Sequence, residues 1–115
     1  MAIKWDAEGR SPVESLKSFQ ELWLSCDRDT QNALLESRLL LVQISRESGI
    51  SRYPGFPSAV SGLANIRALQ GESGEAMTLY EEGHQILSEH LESGYPDIIQ
   101  IEQNISLARE LQARL

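Results

Sequence analysis

The chain has 115 residues and a mass of 12.9 kDa, with 41% apolar and 23% charged residues. This suits one domain that buries about two thirds of its unfolded surface and excludes a disordered chain. A formal charge of −7 and a pI near 4.7 argue against a duplex-binding surface, which needs clustered Lys and Arg. The lone Cys26 excludes an intrachain disulfide and a cysteine-built zinc cluster.

Residues 1–10 read as an irregular lead-in without the basic start and apolar stretch of a signal peptide, so a cytoplasmic location is expected. The first helix is predicted over 12–26. Ser11 is its expected cap, Pro12 its first residue, and Val13, Leu16, Phe19, Leu22, Trp23 and Cys26 its apolar face. The second is predicted over 30–48, capped by Asp29 or Thr30 and stopped by Gly49. Its apolar residues, among them Leu34, Leu39, Leu40, Leu41 and Ile44, cover more than one stripe, which predicts packing on two sides. The longest apolar run, Leu39-Leu40-Leu41-Val42, falls far short of the ~20 residues of a membrane span. Tyr53-Pro54-Gly55-Phe56-Pro57 is a connection. A third helix is expected over 57–70, with Gly71 as its stop, and a fourth over 74–92. The fourth has the cleanest period, in Ala76, Leu79, Tyr80, Gly83, Ile86, Leu87 and Leu91. Pro96 opens a fifth helix predicted to run over 96–114. Nothing alternates at period two between turn signals, so the expected class is all-α.

A shift of 42 residues lays Tyr53-Pro54 on Tyr95-Pro96, Leu63 on Ile105, Arg67 on Arg109 and Leu69-Gln70 on Leu111-Gln112. Over 53–71 this gives five identities in 19 positions. The same step back from Pro54 lands on Pro12, beyond which the match is poor. The run from Leu63 to Gly71, followed by Glu75-Ala76, Leu79-Tyr80, Gly83 and Ile86-Leu87, resembles a tetratricopeptide repeat. The closest likeness is the 42-residue form found in kinesin light chains, where a proline-aspartate like Pro96-Asp97 opens each unit. The likeness covers about 54–115. It departs at Gly83, where alanine is commoner, and at Ser106, where a third unit should repeat Ala64. The resemblance implies antiparallel helix hairpins stacked as a short right-handed superhelix of about five helices. In it Leu63 and Ala64 sit where the hairpin's helices touch, Gly71 makes the turn, and Ala76, Tyr80 and Gly83 face the contact. The first two helices would form a first hairpin. The fifth would be a polar-faced cap bearing Glu102, Gln103, Arg109, Glu110 and Gln112. Physical sense agrees, because thin helix pairs need stacked neighbours to complete a core. A compact five-helix bundle is the alternative.

The acids are unevenly spread. Seven fall within 72–97, where no Lys or Arg occurs, so this stretch accounts for the whole net charge. Glu75, Glu82 and Glu89 recur every seven residues, which predicts a row opposite the apolar stripe of the fourth helix. They read either as a docking face for a basic partner, which complementary charge would steer, or as a solvated outer face. By the resemblance, Ser58, Ser61, Asn65 and Ala68 line an inner surface, continued by Gln100, Gln103 and Leu107. Asn65 could hold a peptide backbone by donating and accepting at once, or simply be a solvated amide. The family's carboxylate clamp needs lysines that Lys4 and Lys17 are not placed to supply.

His84 and His90 are six apart, the wrong spacing for a metal pair on one helix face. His90 reads as a packed or interface residue. Adjacent Glu81 and Glu82 point about 100° apart and make no carboxylate dyad. Cys26 reads as a buried thiol, and Trp5 as a docking anchor or a lid. No phosphate loop, nucleophile elbow or zinc-protease motif occurs. The expected function is therefore a non-enzymatic interaction module for a peptide or protein partner, favouring a basic one, with no cofactor, metal, nucleic acid or membrane. The alternative is a small acidic chaperone or inhibitor that masks a basic surface of a host or secreted protein. Ile98, Ile99 and Ile101 lie close together and raise a homodimer as a further alternative.

Overall fold

A computed structural model describes residues 13–47 and 55–114. It contains five helices, α1 (Leu16–Ser25), α2 (Arg28–Glu47), α3 (Phe56–Leu69), α4 (Ser73–His90) and α5 (Pro96–Ala113), and no strand among the described residues. The fold is all-α. The expected cap Ser11, Pro12, Gly49 and Tyr53-Pro54 lie outside the described residues, as do the lead-in and Trp5, whereas Phe56 and Pro57, expected in the connection, open α3 behind its N-cap Gly55.

Two helix starts differ from the sequence expectation by two residues or more, and those of α3 and α4 by one. α1 begins at Leu16 rather than at residue 12, because Ser15 is extended (φ −73°, ψ 127°) and its hydroxyl accepts the Ser18 N–H at 3.4 Å. What holds the preceding segment out of the helix is remote in sequence and is described below. α2 begins two residues earlier than expected, because Asp27 caps it in place of Asp29 or Thr30. Its Oδ1 accepts the Thr30 N–H at 2.8 Å. The hydrogen bonds from Thr30 hold the exposed Asp27 carboxyl below its ordinary range. A depressed pKa places the stabilisation above the unfolded value of 3.8 and removes it as pH falls through the folded value. Acidification below about pH 4 is thus expected to fray the first turn of α2. Thr30 amide exchange checks this, since Asp27→Asn should abolish the pH dependence while keeping a cap.

α3 is the centre of the molecule. Every residue from Phe56 to Ile66 is buried, and α2, α4, α5 and α1 all pack on it. Such crowding requires short side chains, and Ser58, Ala59, Ser61, Gly62, Ala64 and Ala68 supply them. The chain turns from α3 into α4 through Gly71, whose φ of 82° is left-handed and favours glycine. The Glu72 N–H closes this turn on the Arg67 carbonyl at 2.9 Å. α4 then lies along α3, with Ala64, Ala76, Tyr80 and Leu87 fully enclosed. α5 follows on α4. A Cβ at Gly83 would stand 3.1 Å from Ile101 Cδ1 and 3.4 Å from the Pro57 carbonyl oxygen. The absence of a side chain at Gly83 is what lets Ile101 enter. As expected, α5 keeps Glu102, Gln103, Arg109, Glu110 and Gln112 on its exposed side.

α2, α3, α4 and α5 thus pack in chain order, as stacked neighbours do, with α3 also reaching α5. α1 breaks the order. It approaches α5 and α3 more closely than α2, so the expected first hairpin is not formed by close helix packing. α1 and α2 meet through side chains instead. Leu34 and Leu35 pack on Phe19 and Trp23, Gln31 Nε2 donates to the Trp23 carbonyl at 2.7 Å, and Arg38 reaches Glu14 at 2.7 Å. Phe19 and Trp23 lie tilted together, with ring centroids 6.1 Å apart. Leu22, expected on the same buried face, is exposed because Leu16, Phe19 and Trp23 define a narrower stripe.

Candidate functional site

The inner surface expected to hold a peptide does hold main chain, but the chain's own. Asn65 is fully buried on α3. Its Oδ1 accepts the Tyr80 hydroxyl at 2.5 Å, and its Nδ2 donates to the Glu14 carbonyl at 3.3 Å. Burial pushes the Tyr80 phenol well above the usual tyrosine range, so it remains a donor at all ordinary pH. Asn104 on α5 completes the grip. Its Nδ2 donates to the same Glu14 carbonyl at 2.8 Å, and its Oδ1 accepts the Leu16 N–H at 2.9 Å and Gln100 Nε2 at 3.0 Å. Two turns earlier on α5, Asp97 Oδ1 accepts the Val13 N–H at 3.3 Å. Asp97, Gln100 and Asn104 stand at i, i+3 and i+7, so one face of α5 presents all three.

These bonds explain the late start of α1. The Glu14 carbonyl is engaged by the amides of Asn65 and Asn104, the Val13 N–H by the Asp97 carboxylate, and the Leu16 N–H by the oxygen of the same Asn104. Of the residues expected to line the surface, Ser58, Ser61, Asn65 and Ala68 are buried, Gln100 and Leu107 are half-buried, and Gln103 is exposed. Ser61 Oγ is enclosed and has no hydrogen-bond partner among the described residues. Asn104, absent from the expected set, is the strongest contributor. Its signal in the sequence is an amide set inside the buried row of Ile101 and Ala108.

The acidic row is also placed differently from expectation. Glu75 and Glu82 do not lie opposite the apolar stripe of α4 but beside it, towards α3 and α2. Glu75 pairs with Arg67 at 3.2 Å, and Glu82 with Arg46 of α2. Glu89 is exposed. The far side of α4 carries Glu81, Gln85 and Ser88, all exposed, and the exposed Glu92 follows two residues beyond the helix, which ends at His90 rather than at the expected residue 92. The acids of this stretch thus neutralise two arginines of the chain and still leave carboxylates facing solvent.

α2 differs most from expectation. It is buried on one side only, at Val42 and Ser45, and packs chiefly on α3. The second apolar stripe is open, with Leu40 56%, Leu41 48% and Ile44 49% exposed. Beside it, a groove of about 500 Å³ runs between α2 and α4, lined by the apolar Leu39, Val42, Leu63 and Leu79 together with Gln43, Arg46, Glu47 and Glu75. By contrast, Ile98 and Ile101 are buried within the chain and only Ile99 is exposed. The apolar surface that suggested a dimer on α5 is mostly used internally.

His90 is exposed at the end of α4 rather than packed in its stripe. His84 Nε2 lies 3.6 Å from Glu102 Oε2 across the α4/α5 junction. Cys26 ends α1 half-buried. Among the described residues, no group of three or more His, Cys, Asp and Glu is placed to hold a metal ion, and no helix is long and apolar enough to cross a membrane. Compared with known protein families, curated proteins and solved structures, the chain matches none.

Proposed function

We propose that the protein is a non-enzymatic interaction module, built on tetratricopeptide-like stacking, that captures a basic peptide or protein partner. The observation that carries this reading is the charge of 72–97, seven acids without a Lys or Arg, of which Glu75, Glu81 and Glu89 are exposed on α4 and Glu92 is exposed just beyond its end. Complementary charge in such an arrangement speeds encounter and sets partner choice more than it adds raw affinity. Because the amide surface is already bonded to Glu14 and Leu16, recognition falls to the outer faces of α4 and α2. The test is titration of a labelled, unstructured lysine-rich peptide into the full chain at several ionic strengths. Binding should weaken as salt rises. The triple variant Glu75→Gln, Glu82→Gln, Glu89→Gln should bind more weakly and show a shallower salt dependence. Absence of binding at low salt, or binding indifferent to both salt and variant, contradicts the reading.

A second reading, a small chaperone or inhibitor that masks a basic surface of a host or secreted protein, draws on a separate observation. The open Leu40, Leu41 and Ile44 of α2 suit a partner that stays bound and keeps them dry. It predicts one stoichiometric, co-purifying partner, whereas a transient docking module yields several substoichiometric ones.

A further inference from the structure

Ala33, Ser37, Leu40, Leu41 and Ile44 are exposed together at i, i+4, i+7, i+8 and i+11 of α2. That spacing makes one continuous stripe on the side away from α3. Single exposed leucines are ordinary; a helical row of them beside an apolar groove marks an interaction surface. The edge of the row is acidic. Asp29, Glu36 and Glu47 are exposed along it, and Gln43 donates from Nε2 to Glu47 Oε1 at 3.1 Å. Two of the three arginines of α2 are directed to the chain itself, Arg38 to Glu14 and Arg46 to Glu82. The third, Arg28, is exposed at the start of the helix but falls, at about 100° per residue, on the side away from Leu40, Leu41 and Ile44, so the charge beside the leucines is negative.

We propose that this face receives a basic amphipathic helix, its apolar stripe on Leu40, Leu41 and Ile44 and its Lys or Arg against Asp29, Glu36 and Glu47. The proposal rests on the basic-partner reading above and specifies the partner's form. Geometry suits it, since 20 residues of helix offer a straight face about 30 Å long, the length over which a helix lays its i, i+3/i+4, i+7 anchors into an apolar surface. Charge decides against a second copy of this chain, which would bring the same acids to the same leucines and a further net charge of −7.

Two synthetic peptides of identical Leu, Ala and Lys composition provide the test. In one, the leucines recur at helical spacing with lysines flanking them; in the other, the order is scrambled. Fluorescence anisotropy with the full chain should show the amphipathic peptide binding at least about tenfold more tightly. Leu40→Asp and Ile44→Asp should each erase that preference while circular dichroism remains unchanged, as befits exposed positions. Equal binding of the two peptides, or a preference that survives both variants, overturns the proposal and leaves the basic-partner reading standing. Failure of both peptides to bind overturns both. Sedimentation of the chain alone as a dimer that Leu40→Asp dissociates assigns the face to a second copy, and also overturns the proposal.

Discussion

Replacing Asn104 by alanine is expected to destabilise the protein by about 2–4 kcal/mol and to detach the start of α1. The side chain is 1% exposed and makes three bonds, to the Glu14 carbonyl, the Leu16 N–H and Gln100. Its removal strands a buried main-chain donor, and an unsatisfied buried group costs about 1–3 kcal/mol. The Glu14 carbonyl keeps only the longer bond from Asn65. Urea unfolding measures the loss, with Gln103→Ala as the control. Gln103 precedes Asn104 in the chain but is exposed, so its substitution should stay within about 0.5 kcal/mol of the parent. Equal effects at the two positions would mean that the amide grip contributes nothing.

Ile101→Ala is expected to cost about 2–5 kcal/mol, the range for truncating an enclosed aliphatic residue. Ile101 is fully buried, and its Cδ1 is the atom that a Cβ at Gly83 would meet first, at 3.1 Å. The pair offers an internal check. Gly83→Ala alone crowds Ile101, but in the Ile101→Ala background its methyl enters the space left behind. The double variant should therefore be more stable than the sum of the single losses predicts, by on the order of 1 kcal/mol. Thermal or urea unfolding of the four proteins gives the coupling, and strict additivity would show that α4 and α5 do not meet there.

The helices themselves were legible from spacing. Leu16, Phe19 and Trp23 on α1, and Ala76, Leu79, Tyr80, Gly83, Ile86 and Leu87 on α4, fall on the faces that bury them. Gly71 stops α3 with the left-handed backbone expected of a helix-ending glycine. Ala64, Ala76 and Gly83, read as points of close backbone approach, are all buried. What spacing could not reveal was tertiary. The bonds of Asn104 to Glu14 and Leu16 join residues 90 and 88 apart in sequence, and no local pattern marks which main-chain groups a buried amide will find.

The position of α1 was obscured for the same reason. The polar, turn-prone Asp27-Arg28-Asp29 suggests a hairpin of α1 with α2, whereas α1 packs on α5 and α3, and α2 on α3. The second stripe of α2 illustrates a different limit. Apolar residues on two sides of a helix predict two neighbours, but a sequence does not say whether the second neighbour belongs to the chain. Here Leu40 and Ile44 lie open, while Val42, on the opposite side, is enclosed. The acids were visible as a count, yet their arginine partners, Arg67 and Arg46, only emerge once α3 and α2 lie beside α4.

The amide surface of α3 and α5 is filled by the chain's own segment, so the proposed partner contacts fall to the outer faces of α2 and α4. Hydrogen exchange at the Leu16 amide tests this most directly. Held by Asn104 Oδ1 at 2.9 Å and fully buried, this N–H should exchange as slowly as amides in the middle of α3, opening only with global unfolding. Exchange near the unprotected rate, with α3 still protected, would mean that the segment does not occupy the surface, and would contradict the account.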